Sequence, residues 1–352
     1  MIIKIVDPLT DSRWDGFVEA HPAGTIFHHS MWSKVLRDRY QCDPTCYIEE
    51  NEKGEIQAGI PFFRIKNHLT GKRLVCIPGS EYCFPLGYSA DSITRLMTAA
   101  EDDVRSKQAS FLEIRGWAGP ADPEELGLCV SSTYLTHVTD LAGDSKKLRS
   151  TFDKEYHFRR NLKRAEKSGL TIREAGGEND LREFHKLTIE TRRRLCLLPW
   201  PYRFIADIYR HLVLSGRGSL LLAEYGGRIV AGNMYLIFKD RVLLKFSASS
   251  KTYSDLRPNY LLTWKAIERY CNEGYKRYDF GITDSDNSGL LSFKRQWTNA
   301  EIPLHYYVYP PRLSQKSLRK NDFVFGAYRT FNRLLPDAVL RAAARVVHRR
   351  LG

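Results

Sequence analysis

Five cations recur at spacings of three and four near the middle of the chain: Arg159, Arg160, Lys163, Arg164 and Lys167. On a helix that spacing gathers them on one face, where like charges repel unless something takes them up. Such a stripe can neutralise successive phosphates of a nucleic acid, with binding that weakens as salt rises; a solvated helix face is the alternative. A second run, Arg192-Arg193-Arg194, offers guanidinium forks suited to a phosphate or carboxylate, although a charged helix face explains it almost as well. His28-His29, and Asp284 with Asp286, have no partner identifiable from spacing. The histidines read as a helix N-terminal feature and the aspartates as turn residues. No Gly-x-Ser-x-Gly elbow is present for hydrolase chemistry. Cys42 and Cys46 lack a second Cys/His pair that would complete a metal site, so no metal is expected.

These residues need elements to position them, and the composition bounds which. The chain has 352 residues, 43% of them hydrophobic, which suggests about two domains with real cores. No apolar run reaches the roughly 18 residues of a membrane span, and the start MIIKIVDPLTD carries an early acid and no small-residue cleavage site. Seven cysteines without a Cys-x-x-Cys pair fit reduced thiols and a cytoplasmic location. The net charge of +13 is unevenly placed: residues 312–352 carry +8, and residues 146–167 hold nine Lys/Arg against three acids. Two basic zones on a near-neutral body suggest polyanion contacts at two places.

Along the chain, a strand (Ile2 to Val6) precedes a helix led in by Pro22-Ala23-Gly24-Thr25 and carrying Trp32, Val35 and Leu36. A hairpin follows, with arms Cys46 to Glu50 and Glu55 to Phe63. Strands near Leu74 to Ile77 and Leu86 to Tyr88 lead to a helix, Ala90 to Lys107, and a strand, Ser110 to Trp117. The plan then recurs. Gly227-Arg-Ile-Val-Ala-Gly-Asn-Met matches Gly54-Glu-Ile-Gln-Ala-Gly-Ile-Pro, and in each half a helix and a strand follow. Two unrelated hairpins would be the blander account; the shared order argues for two copies of one α/β unit. Between the copies come a strand (Tyr134 to Leu141), a basic helix (Leu148 to Ser168), a strand (Leu170 to Glu174), a helix (Asp180 to Leu195) and another helix from Pro199-Trp200-Pro201 to Leu214. The tail predicts two basic amphipathic helices, Asp322 to Leu335 and Asp337 to Arg350, which could pack on the body or lie on an anionic bilayer.

The stretch Arg257 to Lys294 organises the second copy. It predicts a loop, an amphipathic helix (Leu261, Leu262, Ala266, Ile267, Tyr270 and Cys271 on one face) stopped at Gly274, a strand from Lys276 to Gly281, and a polar loop ending in Phe293-Lys294. Strand, loop, helix and strand in that order resemble the acyl-donor site of N-acetyltransferase-type folds. Such folds hold the pyrophosphate of coenzyme A on a glycine-rich loop at a helix N-terminus. Here the corresponding loop is Arg257-Pro258-Asn259-Tyr260, without glycine and with a proline that removes a donor. The architecture resembles that fold while the coenzyme A cradle is lost; Arg257 and Tyr260 remain candidate substrate contacts, and Asp284, in the loop bordering the donor site, a candidate for orienting an incoming amine.

Doubled acetyltransferase-like domains, a Lys/Arg-rich helix between them, the early Trp32-Ser33-Lys34 and the closing Gly289-x-x-x-Phe293-Lys294 resemble the Fem family of peptidoglycan aminoacyltransferases and its acetyltransferase-fold relatives. The resemblance spans about residues 1–310 and is most specific in the second copy. It implies an α/β (α+β) fold of two tandem GNAT-like domains, at residues 1–145 and 170–311, with a basic helical segment at 146–169 and a helical tail at 312–352. It implies transfer of an amino acid from aminoacyl-tRNA to an amine of a peptidoglycan or other envelope precursor, with no bound cofactor. Lys294 would stabilise the oxyanion during attack on the aminoacyl ester, Phe293 would wall the acyl pocket, and Arg159, Arg160, Lys163, Arg164 and Lys167 would hold tRNA. Lys34, Arg192 and Arg194 fall near residues by which the family holds its acceptor. Where the family places tyrosines for the muropeptide, this chain has Leu244 and Phe246, a departure that points away from a standard muropeptide as acceptor. Two other readings stay open: an acyltransferase that uses acyl-CoA on an envelope polysaccharide or lipid, and a non-catalytic scaffold at the membrane surface. A peripheral contact of the tail with anionic membrane on its inner face is compatible with each.

Overall fold

In a computed structural model of the chain, residues 1–40, 43–67, 71–106, 108–298 and 300–311 are described. The two tail helices expected beyond residue 312 lie outside the described residues. The chain divides into two units, one built on Met1–Tyr134 with the strand residues from Pro303 on, the other on Leu135–Ile302.

Unit 1 contains β1 (Ile2–Val6), α1 (Arg13–Ala20), α2 (Ser30–Tyr40), β2 (Pro44–Glu50), β3 (Ile56–Asn67), β4 (Gly71–Val75), β5 (Leu86–Gly87), α3 (Ala90–Arg105) and β6 (Phe111–Arg115). Neighbouring strands pair antiparallel from β1 to β4, and β4 then pairs parallel with β6. Helix α3 begins where Ser89 accepts a hydrogen bond from Ser92 N–H, the usual N-cap solution for an orphan donor. Trp14, Phe27, Trp32, Tyr47, Phe62 and Phe63 fill the core. Helix α1 is an addition to the elements expected from the sequence; it supplies Trp14.

After the bridging strand β7 (Cys129–Asp140), unit 2 contains α4 (Ser145–Phe152), α5 (Tyr156–Glu166), β8 (Thr171–Glu174), α6 (Glu178–Arg194), α7 (Tyr202–Ile208), a π-helical segment (Tyr209–Arg217), β9 (Gly218–Tyr225), β10 (Arg228–Phe238), β11 (Arg241–Ser249), α8 (Pro258–Asn272), β12 (Arg277–Thr283) and α9 (Ser288–Arg295). The last strand is β13 (Ala300–Tyr309). Strands β8 to β11 pair antiparallel in order, and β11 pairs parallel with β12.

The two units repeat one plan down to individual residues. Gly54 and Gly227 both turn their hairpins with positive φ, 77° and 74°. Both return arms then carry a bulge at the matching place, opposite Glu49/Glu50 in unit 1 and between Ile229 and Ala231 in unit 2. Five residues past each turn glycine a second glycine meets an aromatic ring: a Cβ on Gly59 would stand 2.4 Å from Trp14, and one on Gly232 would stand 2.7 Å from Phe184. Real Cβ atoms do not approach so closely, so the Ala-Gly pairs of the repeat admit a ring from an earlier helix of each copy, α1 in unit 1 and α6 in unit 2. The copies also exchange closing strands. Unit 1 is completed by β13 on β6, with Tyr307 opposite Ile114, and unit 2 by β7 on β12, with Tyr278 opposite Thr139.

Several expectations need correction. The basic segment is two helices, α4 and α5, because the Glu155 carboxylate accepts from Phe158 N–H at 2.6 Å and restarts the helix, a local bond that competes with continuation. Its residues Phe152, Phe158, Leu162 and Ala165 belong to the core of unit 2 rather than to a separate segment. The polar loop before Phe293-Lys294 is in fact α9. The helix expected from Pro199 to Leu214 starts at Tyr202 and widens into the π-helical segment, whose Gly216, one residue before its end at Arg217, is left-handed at φ 80°.

Candidate functional site

Two parallel strands part company in unit 2. β11 and β12 pair only from Arg241↔Arg277 to Leu243↔Asp279, yet β11 runs on to Ser249 and β12 to Thr283. Both are irregular where the pairing stops. The β10–β11 register shifts at Met234/Tyr235, and the β12–β7 register shifts between Asp279 and Ile282. Bulges of this kind release backbone groups from the ladder and re-aim them.

Lys294 takes up two of those groups. Asn287 caps α9 by accepting from Leu290 N–H, and the helix turns Leu291 and Lys294 inward. The lysine is 4% exposed, and its Nζ donates to the carbonyls of Gly281 at 2.7 Å and Ile282 at 3.4 Å. Gly281 adopts φ 69°, the left-handed conformation that glycine reaches without strain. The buried Asp279 carboxylate accepts from Gly281 N–H at 2.7 Å and from Thr136 Oγ1 at 2.9 Å, fixing the bulge from below. Burying a lysine head is costly unless its donors are satisfied, so the bulge carbonyls are what lets Lys294 sit inside.

A second polar chain flanks it. The ring of His137 is buried, with Nε2 2.9 Å from Glu301, and Arg295 holds the same carboxylate at 2.7 and 3.0 Å. Burial pushes the His137 imidazole below its ordinary pKa, against the pull of Glu301, and the Lys294 charge lowers it further. The guanidinium of Arg295 brings the Glu301 carboxyl down to about 2.

Phe293 lies in an aromatic cluster, its ring 5.2 Å from Tyr260 and 5.8 Å from Trp297. The Tyr260 hydroxyl donates to Gln296 Oε1 at 2.9 Å and accepts from Asn161 Nδ2 at 3.1 Å, tying α5, α8 and the end of α9 together. Burial raises the Tyr260 phenol above its ordinary pKa. At the start of α8, Arg257 is left-handed (φ 59°), Pro258 has no N–H, and Tyr260 N–H is spent on Arg257 O. The first turn of α8 thus lacks glycine and has fewer backbone donors to offer than a glycine-rich loop. Arg257 Nε and Asn259 Oδ1 are buried without a hydrogen-bond partner.

The other expected residues fall in different places. Phe246 is buried on β11 against Trp200 and Phe204, and Leu244 packs at the edge of the core. Arg192 bonds the Leu198 carbonyl and stacks on Trp200 at 4.7 Å; Arg194 donates to Ser249 O at 3.3 Å. Asp284 is exposed, its carboxylate capping Asp286 N–H at 3.2 Å in the turn before α9. Lys34 lies in unit 1, paired with Asp38 one helical turn on at 3.1 Å.

On α5, Phe158, Leu162 and Ala165 face inward, while Arg159, Arg160, Lys163, Arg164 and Lys167 are all exposed. The acids nearby are committed elsewhere: Glu155 caps the helix and Glu166 binds Arg149 at 2.8 Å. Among these five cations Arg164 has a distant acidic neighbour, Asp255 at 3.7 Å. Among the described residues there is no group of three or more His, Cys, Asp or Glu placed to hold a metal ion.

Sequence reasoning missed His137, Glu301 and Asp279. His137 and Glu301 meet across 164 residues, which no local pattern reports. Asp279 left a trace: a carboxylate inside the apolar strand Tyr278-Asp279-Phe280-Gly281.

Residues 153–295 match the family described as acetyltransferase (GNAT) domain. Over 85 residues the chain is 31% identical to the lipid II:glycine glycyltransferase of Staphylococcus haemolyticus (strain JCSC1435), a match covering 22% of this chain. It spans about a fifth (20%) of that relative's length. The crystal structure of FemX superposes with TM-score 0.69 at 15% identity, covering 92% of this chain and 100% of FemX. A tandem GNAT protein from the clavulanic acid biosynthesis pathway superposes with TM-score 0.54 at 11% identity, covering 87% and 98%. These two likenesses are of fold.

Proposed function

We propose that this chain, whose residues 153–295 match an acetyltransferase (GNAT) domain and which is similar over 85 residues to a lipid II:glycine glycyltransferase, is an acyltransferase that moves an aminoacyl group onto an amine of a peptidoglycan precursor, with aminoacyl-tRNA as the donor. The observation that carries this reading is the Lys294 ammonium, held inside on the Gly281 and Ile282 carbonyls where β11 and β12 diverge. The acceptor amine attacks the ester carbonyl, a C–N bond forms, and negative charge develops on the carbonyl oxygen. Lys294 stabilises that charge without reorganising, since its position is already fixed. The C–O bond to the terminal ribose then breaks, and the proton lost by the amine goes to the departing hydroxyl. Phe293 lines the acyl side of this site. Arg159, Arg160, Lys163, Arg164 and Lys167 are the contact for tRNA phosphates, and Lys34, Arg192, Arg194, Phe246, Arg257 and Tyr260 are candidate substrate contacts.

The support for a donor other than coenzyme A is the start of α8, which has no glycine, where Pro258 lacks an N–H and Tyr260 N–H is bonded to Arg257 O. The test is to incubate the purified protein with a mixture of charged tRNAs and peptidoglycan precursors and to weigh the precursor by mass spectrometry. A mass gain equal to one amino acid residue is expected. No gain with any charged tRNA, together with saturable heat of binding for acetyl-CoA, would replace this reading with a coenzyme A-dependent one.

A further inference from the structure

We propose that the corner joining α6 to α7 is a membrane-contact surface that seats on an anionic lipid bilayer. The corner is closed by backbone hydrogen bonds. Leu197 N–H bonds Arg192 O at 2.8 Å and Cys196 N–H bonds Arg193 O at 3.1 Å, with Cys196 left-handed at φ 54°. This closure normally has glycine at the left-handed position and folds the next apolar side chain back onto the helix. Here neither holds: Leu197 remains 39% exposed and Leu195 47%. Their neighbours are anchored, since Leu198 is buried and Arg192 spans from its carbonyl to the Trp200 ring. The two leucines are thus held out by an ordered backbone.

Cations directly precede them in the chain: Arg193 and Arg194, with Lys251, line one groove with Glu190, whose carboxylate accepts from Lys251 N–H at 2.7 Å and Ser250 Oγ at 3.2 Å. The α6 dipole explains basic residues in its last turn but not two exposed leucines beside them. A soluble anion would use the cations alone, and a neutral protein surface would use the leucines alone. An anionic bilayer uses both: apolar side chains enter the acyl boundary while cations meet headgroup phosphates. No helix among the described residues is long and apolar enough to cross a membrane, so the contact is peripheral. Arg192 and Arg194 are also candidate substrate contacts in the acyl-transfer reading, but the membrane contact is tested apart from it, because binding to vesicles needs neither donor nor acceptor.

The test is flotation of the full chain with phosphatidylcholine vesicles, with and without phosphatidylglycerol, combined with amide hydrogen exchange over Arg193–Leu198. Binding that requires phosphatidylglycerol and slows exchange at this corner is expected, and Leu195→Ser with Leu197→Ser should weaken it about tenfold. Lys251→Gln should weaken it less and reduce its salt dependence. Because both leucines are exposed, a circular dichroism spectrum like the parent's is expected for the double variant. Absence of vesicle binding overturns the proposal. So does vesicle binding that leaves exchange at this corner unchanged, since the contact then lies elsewhere, and so does equal protection by inorganic pyrophosphate alone.

Discussion

The Nζ of Lys294 donates to the carbonyl oxygen of Gly281 at 2.7 Å, thirteen residues back along the chain. The bond joins α9 to the bulge of β12, and the bulge in turn rests on Asp279. In the proposed transfer a cation held this way acts preorganised: the cost of removing it from water is met during folding rather than during reaction.

Removing that cation tests the mechanism most directly. Lys294→Ala is expected to lower aminoacyl transfer by about 10²- to 10³-fold, and Lys294→Met, which keeps the bulk, to lower it as much. Circular dichroism should show both variants folded. Transfer at the parental rate by the methionine variant removes Lys294 from the chemistry.

The exposed face of α5 should behave as a polyelectrolyte surface. Replacing Arg159, Lys163 and Lys167 with glutamine is expected to weaken tRNA binding and to flatten the slope of log affinity against log salt by about 0.7 to 0.9 for each phosphate no longer neutralised. Filter binding across a salt series measures it. An unchanged slope would make this face a solvated helix surface.

The two ring-facing glycines make the duplication measurable. Gly59→Ala and Gly232→Ala each force a methyl group into an aromatic ring, so each should cost about 1–3 kcal/mol in urea unfolding. Gly16→Ala is the control: it lies within α1 with nothing within 4 Å of the new carbon, and it should add roughly 0.5–1 kcal/mol. Equal neutrality of all three substitutions would contradict the packing described for the repeats.

Acid stability should depend on Asp180. Arg173 holds its carboxylate at 2.5 and 2.8 Å, and that pairing, partly opposed by burial, lowers its pKa from 3.8 to about 2. A depressed folded pKa means the folded state keeps the carboxylate charged where the unfolded chain would protonate it. The contribution is therefore complete above about pH 4 and disappears as pH falls toward 2. Asp180→Asn should lower stability at neutral pH and shrink the loss between pH 4 and 2, as read from unfolding midpoints in that range. A parallel shift of the whole curve would assign the loss to packing instead.

Short-range pattern determined a good deal here. The matching Gly-x-Ile-x-Ala-Gly arms, the helix through Leu261 to Cys271 and the strand at Tyr278 are set by turn glycines, caps and apolar periodicity, all properties of neighbouring residues; that the helix already begins at Pro258, where the sequence reads as a loop, is not. They sufficed to expect two copies of an α/β unit and a cationic face on α5. Phe293-Lys294 was visible as a motif through family resemblance, but its setting was not: α9 read as a polar loop because Ser288, Gly289 and Ser292 mask a helix that only the burial of Leu291 and Lys294 makes amphipathic.

Tertiary structure alone decided which groups meet. The exchange of β7 and β13 between copies, the approach of His137 to Glu301 and the bond from Lys294 to Gly281 join residues whose separation in sequence carries no signal. Each depends on where bulges release backbone carbonyls and donors, and a bulge is a property of two paired strands. An amino-acid sequence specifies the side chains available to fill such a gap; the pairing of strands decides where the gap opens.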